Sequence, residues 1–304
     1  MAVVGLAIVG TALGTVAVAT DAFEAGQHWL GLWARVDRFL AGPVPDRPAP
    51  VTVLVTEPPF TAPPTASPTP TPAPTVAASG APVSTPNPTP TPTPAPVRRP
   101  IKVDIAADPE SVFAHQIRKD WCAVAGTQIV LAQLGLADTS AETQKELGGR
   151  IREWESLADS RNGDWGPAAM ALALADYGAP GYEVRAFETR QGALRNAART
   201  IQATGAPVVL LAWRGAHTWI MTGFRADADP TIFRDAHIDG AYILDPWYPW
   251  VSSIWGPSDP PGTFQDKAEM ERNFLRWKRP EGRYPDRDGL FITVAPTVVV
   301  KPTG

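Results

Sequence analysis

Apolar and polar positions change their rhythm several times along the 304 residues. From Ala2 to Thr20 no residue is charged, and the run reads AVVGLAIVGTALGTVAVAT. As a helix it would span roughly 28 Å, close to the hydrocarbon thickness of a bilayer. Residues 1–20 are therefore expected to enter a membrane, as an anchor or a signal segment. Between 21 and 42, Phe23, Trp29, Leu30, Leu32, Trp33, Val36, Phe39 and Leu40 recur at mixed three- and four-residue spacing. That spacing suits an amphipathic helix lying in the membrane interface. From 43 to 100 hydrophobic periodicity disappears. From 101 to 304 it returns, first with helical and then with strand period.

In this last region Cys122–Leu134 reads as a helix closed by Gly135. Further helices are expected over Thr139–Leu157, Pro167–Tyr177 (with Pro167 in the first turn and Gly178 past the end) and Gln191–Thr204. The period then shortens. Pro207–Trp213, Thr218–Phe224, Ala241–Leu244 and Leu290–Val294 are β-branched or apolar runs of strand length. A helix over Gln265–Trp277 interrupts them. Helices first and strands afterwards predict an α+β domain, not a doubly wound sheet.

Composition sharpens this division. Of the 34 prolines, twenty fall between Pro43 and Pro100, many in Thr-Pro alternation. Such a stretch buries too little apolar surface to offset its ordering entropy, so 43–100 reads as a disordered linker. In polyproline II form it could reach on the order of 150 Å and act as a tether. Thr/Pro-rich stalks are typical of exported proteins. Arg35 and Arg38 follow the apolar run while nothing basic precedes it, which under the positive-inside rule pulls the other way. The linker decides for export: a single-pass anchor with the C-terminal domain outside the cytoplasm. Without a basic n-region or a convincing small-residue cleavage site, retention is favoured over cleavage, which would leave a secreted protein.

A single Cys and a net charge of −4 exclude several function classes. One thiol cannot build an intrachain disulfide framework or a multi-thiolate zinc site. Mild acidity argues against nucleic acid as the main partner. No G-x-G-x-x-G, Walker loop or H-E-x-x-H motif is present, and neither a cofactor nor a metal is expected.

The candidate chemistry gathers around Cys122. At a helix start its thiol meets the positive end of the helix dipole, which favours the thiolate nucleophile. Gln116, six residues earlier, offers an amide that could join the Cys122 N–H in an oxyanion hole. His217, in GAHTWIMTGF at a strand opening, is placed to serve as base and then acid. Asp245, ending AYILDPW, is placed to orient the imidazole, although Asp-Pro also simply terminates strands. Trp121, Trp219 and Trp247 are candidates for binding substrate.

QIRKDWCAVAGTQIVL, PVVLLAWRGAHTWIMTGF and ILDPWYPW, in this order, resemble the papain-like cysteine peptidases. More narrowly they resemble the bacterial branch that removes double-glycine leaders from bacteriocin precursors. Phe274 and Trp277 in the late helix extend the resemblance, which covers most of residues 105–296. It implies a papain-like fold and a monomeric peptidase or amidase acting on a peptide or protein through Cys122, His217, Asp245 and Gln116. A thioester intermediate then passes to water, or to an amine in a transpeptidase-like acyltransferase. Asp120 beside the Cys and Ala123-Val124 after it depart from the branch's pattern. They keep open a catalytically idle binding module displayed on a stalk. A long 225–240 connection is read as a lid or a decoration.

Overall fold

The computed structural model describes residues 36, 39–40, 42–56, 95–160, 165–278 and 282–297. Along them run β1 (Val53–Leu54), β2 (Ile101–Asp104), α1 (Pro109–Val112), α2 (Cys122–Gln133), α3 (Ala141–Gly149), α4 (Ile151–Trp154), α5 (Pro167–Asp176), β3 (Tyr182–Phe187) and α6 (Arg190–Thr204). Then follow β4 (Val208–Ala212), β5 (His217–Ala226), β6 (Ile238–Leu244), β7 (Val251–Ser252), β8 (Gly256–Pro257), β9 (Thr263–Asp266), α7 (Lys267–Asn273) and β10 (Phe291–Pro296).

The α+β class holds. Alternation along the strands divides the core into two layers. Val209 and Leu211 of β4, and Ile292 and Val294 of β10, face a cluster built on α2 and α5. Their neighbours Val208, Leu210, Ala212, Phe291 and Ala295 face a second cluster with Ala193, Leu194, Ala197 and Ile201 of α6. Period two along a strand thus covers both faces of one sheet. The sheet has the order β1-β3-β10-β4-β5-β6-β9, with β2 also pairing β5. It is mixed: β1 runs parallel to β3, and the other pairs are antiparallel.

Both ends of the segment read as a linker belong to this fold. Val53 and Leu54 add a strand to the edge of β3, and Val55 N donates to Ala186 O at 2.9 Å. Upstream, Leu157 N donates to Pro45 O (2.8 Å), Arg47 Nε to Glu155 O (2.9 Å) and Ser156 Oγ to Arg47 O. Thr52 Oγ1 donates to Asp286 Oδ2 at 2.6 Å. Proline lacks an N–H but its carbonyl accepts normally, and VTVLV (51–55) is a β-branched run free of proline. The proline-rich average of 43–100 conceals that short strand. The disordered-linker reading of residues 43–56 is therefore corrected.

Among the described residues no helix is long and apolar enough to cross a membrane. The expected span over 2–20 lies outside them, as does most of 21–42.

Other boundaries also shift. The helix expected over Thr139–Leu157 divides into α3 and α4 around Gly149-Arg150, with Ser140 capping α3 by accepting Thr143 N at 3.2 Å. The late helix starts at Lys267, because the Asp266 carboxylate accepts the N–H groups of Ala268 and Glu269, and Gln265 belongs to β9. The 225–240 connection consists of strand at both ends. Its loop, 227–237, lies at the far end of β5 from His217, roughly 30 Å away along a ten-residue strand, so it is no lid over that end.

Candidate active site

Three separate elements deliver Cys122, His217 and Asp245 to one place. Cys122 is the first residue of α2, whose residues from Ala123 to Leu131 are all buried. A helix buried on all sides is fixed in depth by its closest contact. Here that contact is Gly126 against β5: a Cβ at 126 would lie 2.5 Å from Thr218 Cγ2. This close approach sets the N-terminus of α2 beside the opening residue of β5, His217.

The turn entering β5 is unusual. Trp213 (φ 51°) and Arg214 (φ 62°) both lie in the left-handed region, followed by Gly215 at φ 85°. Each such non-glycine residue costs on the order of 1–3 kcal/mol, and strain of this kind collects at sites that use it. Its result is visible in the rings: the Trp213 indole stacks on the His217 imidazole at 4.0 Å and 20°. A Cβ at Gly215 would meet the Trp277 ring at 2.3 Å, so the turn also closes onto that indole.

Asp245 follows the last residue of β6, where Leu244 pairs with Ile220. Its carboxylate is buried and accepts three hydrogen bonds. His217 Nε2 donates to Oδ1 at 2.6 Å, Trp247 N to Oδ1 at 2.9 Å and Trp219 Nε1 to Oδ2 at 2.9 Å. The Asp-Pro turn and the histidine-orienting role are thus one structure. With Nε2 held by Asp245, Nδ1 is the nitrogen left free, and Cys122 and His217 line the same cleft. Burial of the ring would lower the His217 pKa, but the Asp245 carboxylate, and then Cys122, outweigh it and raise it to about 9. The imidazolium therefore persists at neutral pH. Cys122 Sγ also lies 3.9 Å from Ala216 O, and its own N–H, at the first turn of α2, has no intrahelical acceptor.

Gln116 stands apart from the other three. Its Nε2 donates to Arg118 O (2.8 Å) and Lys119 O (3.0 Å), inside the turn that leads to Cys122, and the side chain is fully buried. It does not line the cleft at Cys122. The oxyanion donor expected of Gln116 is thus engaged in shaping the approach to the helix. Its backbone N–H donates to Pro246 O at 3.0 Å, tying that approach to the Asp245 turn. Gln144 of α3, which the sequence reading passed over, braces the same turn: its Oε1 accepts Ile117 N at 2.7 Å and its Nε2 donates to His115 O at 3.0 Å. Asp120 pairs with Arg118 at 3.4 Å; it does not cap α2, whose N-cap residue is Trp121.

The three tryptophans expected to bind substrate do other work. Trp121 rests against Gly148, where a Cβ would approach it to 2.5 Å, and under the Arg118 guanidinium. Trp219 is buried and serves Asp245. Trp247 packs edge-on to Trp213 and His217. None of them lines the cleft.

That cleft, about 280 Å³, holds Cys122 and His217 at one side. Its remaining wall includes Asp159, Trp165, Trp277 and Tyr284, contributed by the approach to α5 and by the segment before β10. Behind it lies a buried ion pair, Arg287 Nη1 to Asp159 Oδ1 at 2.9 Å. Asp159 also accepts Ala168 N (3.2 Å) and Ala169 N (2.9 Å) at the start of α5. Burial raises the Asp159 pKa against the opposing effect of Arg287. Gly166 is required here, since a Cβ would strike Asp159 Oδ2 at 2.3 Å. In the sequence, the Trp-Gly-Pro run opening α5 and Trp277, which lies past the end of α7 and not in the helix expected to reach it, were the available signals for this wall.

Among the described residues no group of three His, Cys, Asp or Glu side chains could hold a metal ion. Comparison with known proteins returns no matching family model, no matching curated protein and no matching solved structure.

Proposed function

We propose that this protein is a thiol-dependent hydrolase of peptide or amide bonds, of the papain-like kind. The observation that carries the reading is the buried His217, bound to Asp245 at 2.6 Å and lining one cleft with the Cys122 thiol. In this reading Cys122 attacks the carbonyl carbon of an amide. The proton held on His217 Nδ1 passes to the leaving nitrogen as the C–N bond breaks, giving a thioester. His217 then takes a proton from water, the resulting hydroxide adds to the thioester carbon, and the proton returns to the departing sulfur. Asp245 keeps the Nε2–H oriented throughout, itself steadied by Trp219. The Cys122 N–H is the donor available to the oxyanion. We further propose that the activity lies outside the cytoplasm, on the strength of the Thr/Pro-rich composition that follows the apolar run over 2–20.

A catalytically idle binding module is favoured by one observation, the engagement of the Gln116 amide by Arg118 O and Lys119 O. Two measurements separate these readings. Iodoacetamide should alkylate Cys122 at pH 6 at least about tenfold faster than a free thiol, because the imidazolium favours the thiolate. His217→Ala should abolish that excess. Hydrolysis of a peptide library by the full chain, absent in Cys122→Ala, completes the test; ordinary labelling and no hydrolysis would sink the enzyme reading.

A further inference from the structure

A hydrogen bond fixes one point of an imidazole ring, not its plane. His217 Nε2 is bound to Asp245 Oδ1 at 2.6 Å, yet the ring can still turn about its Cβ–Cγ bond at little cost to that contact. Such a turn swings Nδ1, the nitrogen left free, away from any partner. Only a group lying on the ring face prevents it. Trp213 is that group: its indole stacks on the imidazole at 4.0 Å and 20°, whereas Trp247 meets the same ring edge-on at 85°.

The indole is fastened in its turn. Trp213 Nε1 donates to Asn273 Oδ1 of α7 at 2.9 Å, and the Asn273 amide donates to Glu269 O at 3.1 Å. Trp255, at the start of β8, stacks on Trp213 at 5.8 Å and 6°. The backbone of Trp213 is itself left-handed, at φ 51°, which a bulky residue adopts only where its surroundings impose it. Filling the core needs no such backbone, and Trp213 does not line the cleft, so contact with substrate does not explain it. The stack also acts on charge. An indole face attracts a cation within about 6 Å, and a neutral imidazole forgoes that gain.

We propose that Trp213 is a positioning residue: its indole face fixes the plane of the His217 imidazole, hence the direction of Nδ1, and favours the imidazolium. Asn273 and Trp255 hold the indole for this purpose. The consequence for turnover rests on the thiol hydrolase reading; the effects on the ring do not.

The test uses the full chain with isotope-labelled histidine, the His217 signal being the one missing from His217→Ala. The other ionisable groups about the ring stay unchanged: Asp245, Cys122 and, in the cleft, Lys119, Asp120, Tyr284 and the Asp159–Arg287 pair. Trp213→Leu should lower the His217 titration midpoint by about 0.5–1.5 pH units and cut the alkylation excess of Cys122 at pH 6 about 5- to 20-fold. Trp213→Phe keeps a ring face and should restore at least half of both. Because Trp213 lies outside the cleft, kcat should fall while KM stays within about twofold. Where Trp213→Leu does not fold, Asn273→Leu frees the indole by removing its acceptor, and should move the midpoint and the labelling in the same direction. A midpoint unchanged or raised in the variant that folds, or Trp213→Phe no better than Trp213→Leu, would overturn the inference. A chain with neither excess labelling nor hydrolysis removes the hydrolase reading, and a lowered midpoint in Trp213→Leu then still supports the stack. An active chain whose midpoint and labelling ignore Trp213 keeps that reading and removes the stack.

Discussion

The protonation of His217 depends on one carboxylate. Burial alone would drive its pKa below 6.5, yet Asp245 and Cys122 bring it to about 9. The sign follows directly. A raised histidine pKa adds stability that is complete below pH 6.5 and is lost as the pH rises through 9. Hydrolysis, which needs the imidazolium as acid, should therefore fall as the pH passes 9, and Cys122 alkylation should lose its excess over a free thiol there. In Asp245→Asn the larger raising cause is gone and burial remains, so the imidazole pKa should fall toward neutral pH. Alkylation measured across pH should lose its neutral-pH excess, and kcat should drop on the order of 100-fold. A second residue-scale prediction concerns Asp159 and Arg287, which are both buried and pair at 2.9 Å. Arg287→Met leaves a buried carboxylate unpaired and should cost about 3–5 kcal/mol in urea unfolding. Asp159→Asn combined with Arg287→Met should recover much of that loss, a result a merely additive pair would not give.

At the scale of elements, the contact between α2 and β5 decides whether the thiol reaches the imidazole. Gly126→Ala would place a methyl 2.5 Å from Thr218 Cγ2, and that atom belongs to a short, stiff side chain on a buried strand. The variant should lose about 1–3 kcal/mol of stability and slow Cys122 alkylation, while Thr218→Ser, by deleting the methyl, should restore both. Alkylation unchanged in a stable Gly126→Ala protein would show that the helix does not govern the distance. Sequence pattern reached α2, α5 and α6 because glycine, proline or a capping residue marks their ends, and β4 and β5 because their apolar runs are nearly unbroken. It missed β3, whose YEVRAF interleaves charged residues with apolar ones, and β1, a two-residue strand inside a proline-rich stretch. Of the candidate site, the order Cys122, His217, Asp245 was legible because strand and helix ends carry local signals. The cleft wall was not. Asp159 and Arg287 are 128 residues apart, and nothing local announces that two such side chains pair across the fold. The Gln116 amide misled for a related reason: its offset from Cys122 is visible in the sequence, but its choice of the Arg118 and Lys119 carbonyls depends on the turn.

For the molecule as a whole, the docking of residues 43–56 changes what the Thr/Pro-rich stretch can do. A tether holds a domain at a distance only if its near end is free of that domain. Here the chain enters through β1 at one edge of the sheet and returns as β2 against β5, so both ends of the proline-rich excursion are fixed to the same body. Whatever precedes residue 42 is then joined directly to the folded part, and the excursion leaves and returns as a loop. Distance measurement tests this geometry. Spin labels on cysteines at Val53 and Lys102, in a Cys122→Ser chain, should give one narrow distribution near roughly 25 Å, set by strand spacing and rise. A free polyproline tether between the same positions would instead extend toward about 150 Å and give a broad distribution. Arg47→Ala removes the hydrogen bond to Glu155 O and should loosen the docked segment first, widening the distribution before any loss of the main unfolding transition. A distribution that is broad already in the unmodified chain would return the whole of 43–100 to the role of a stalk.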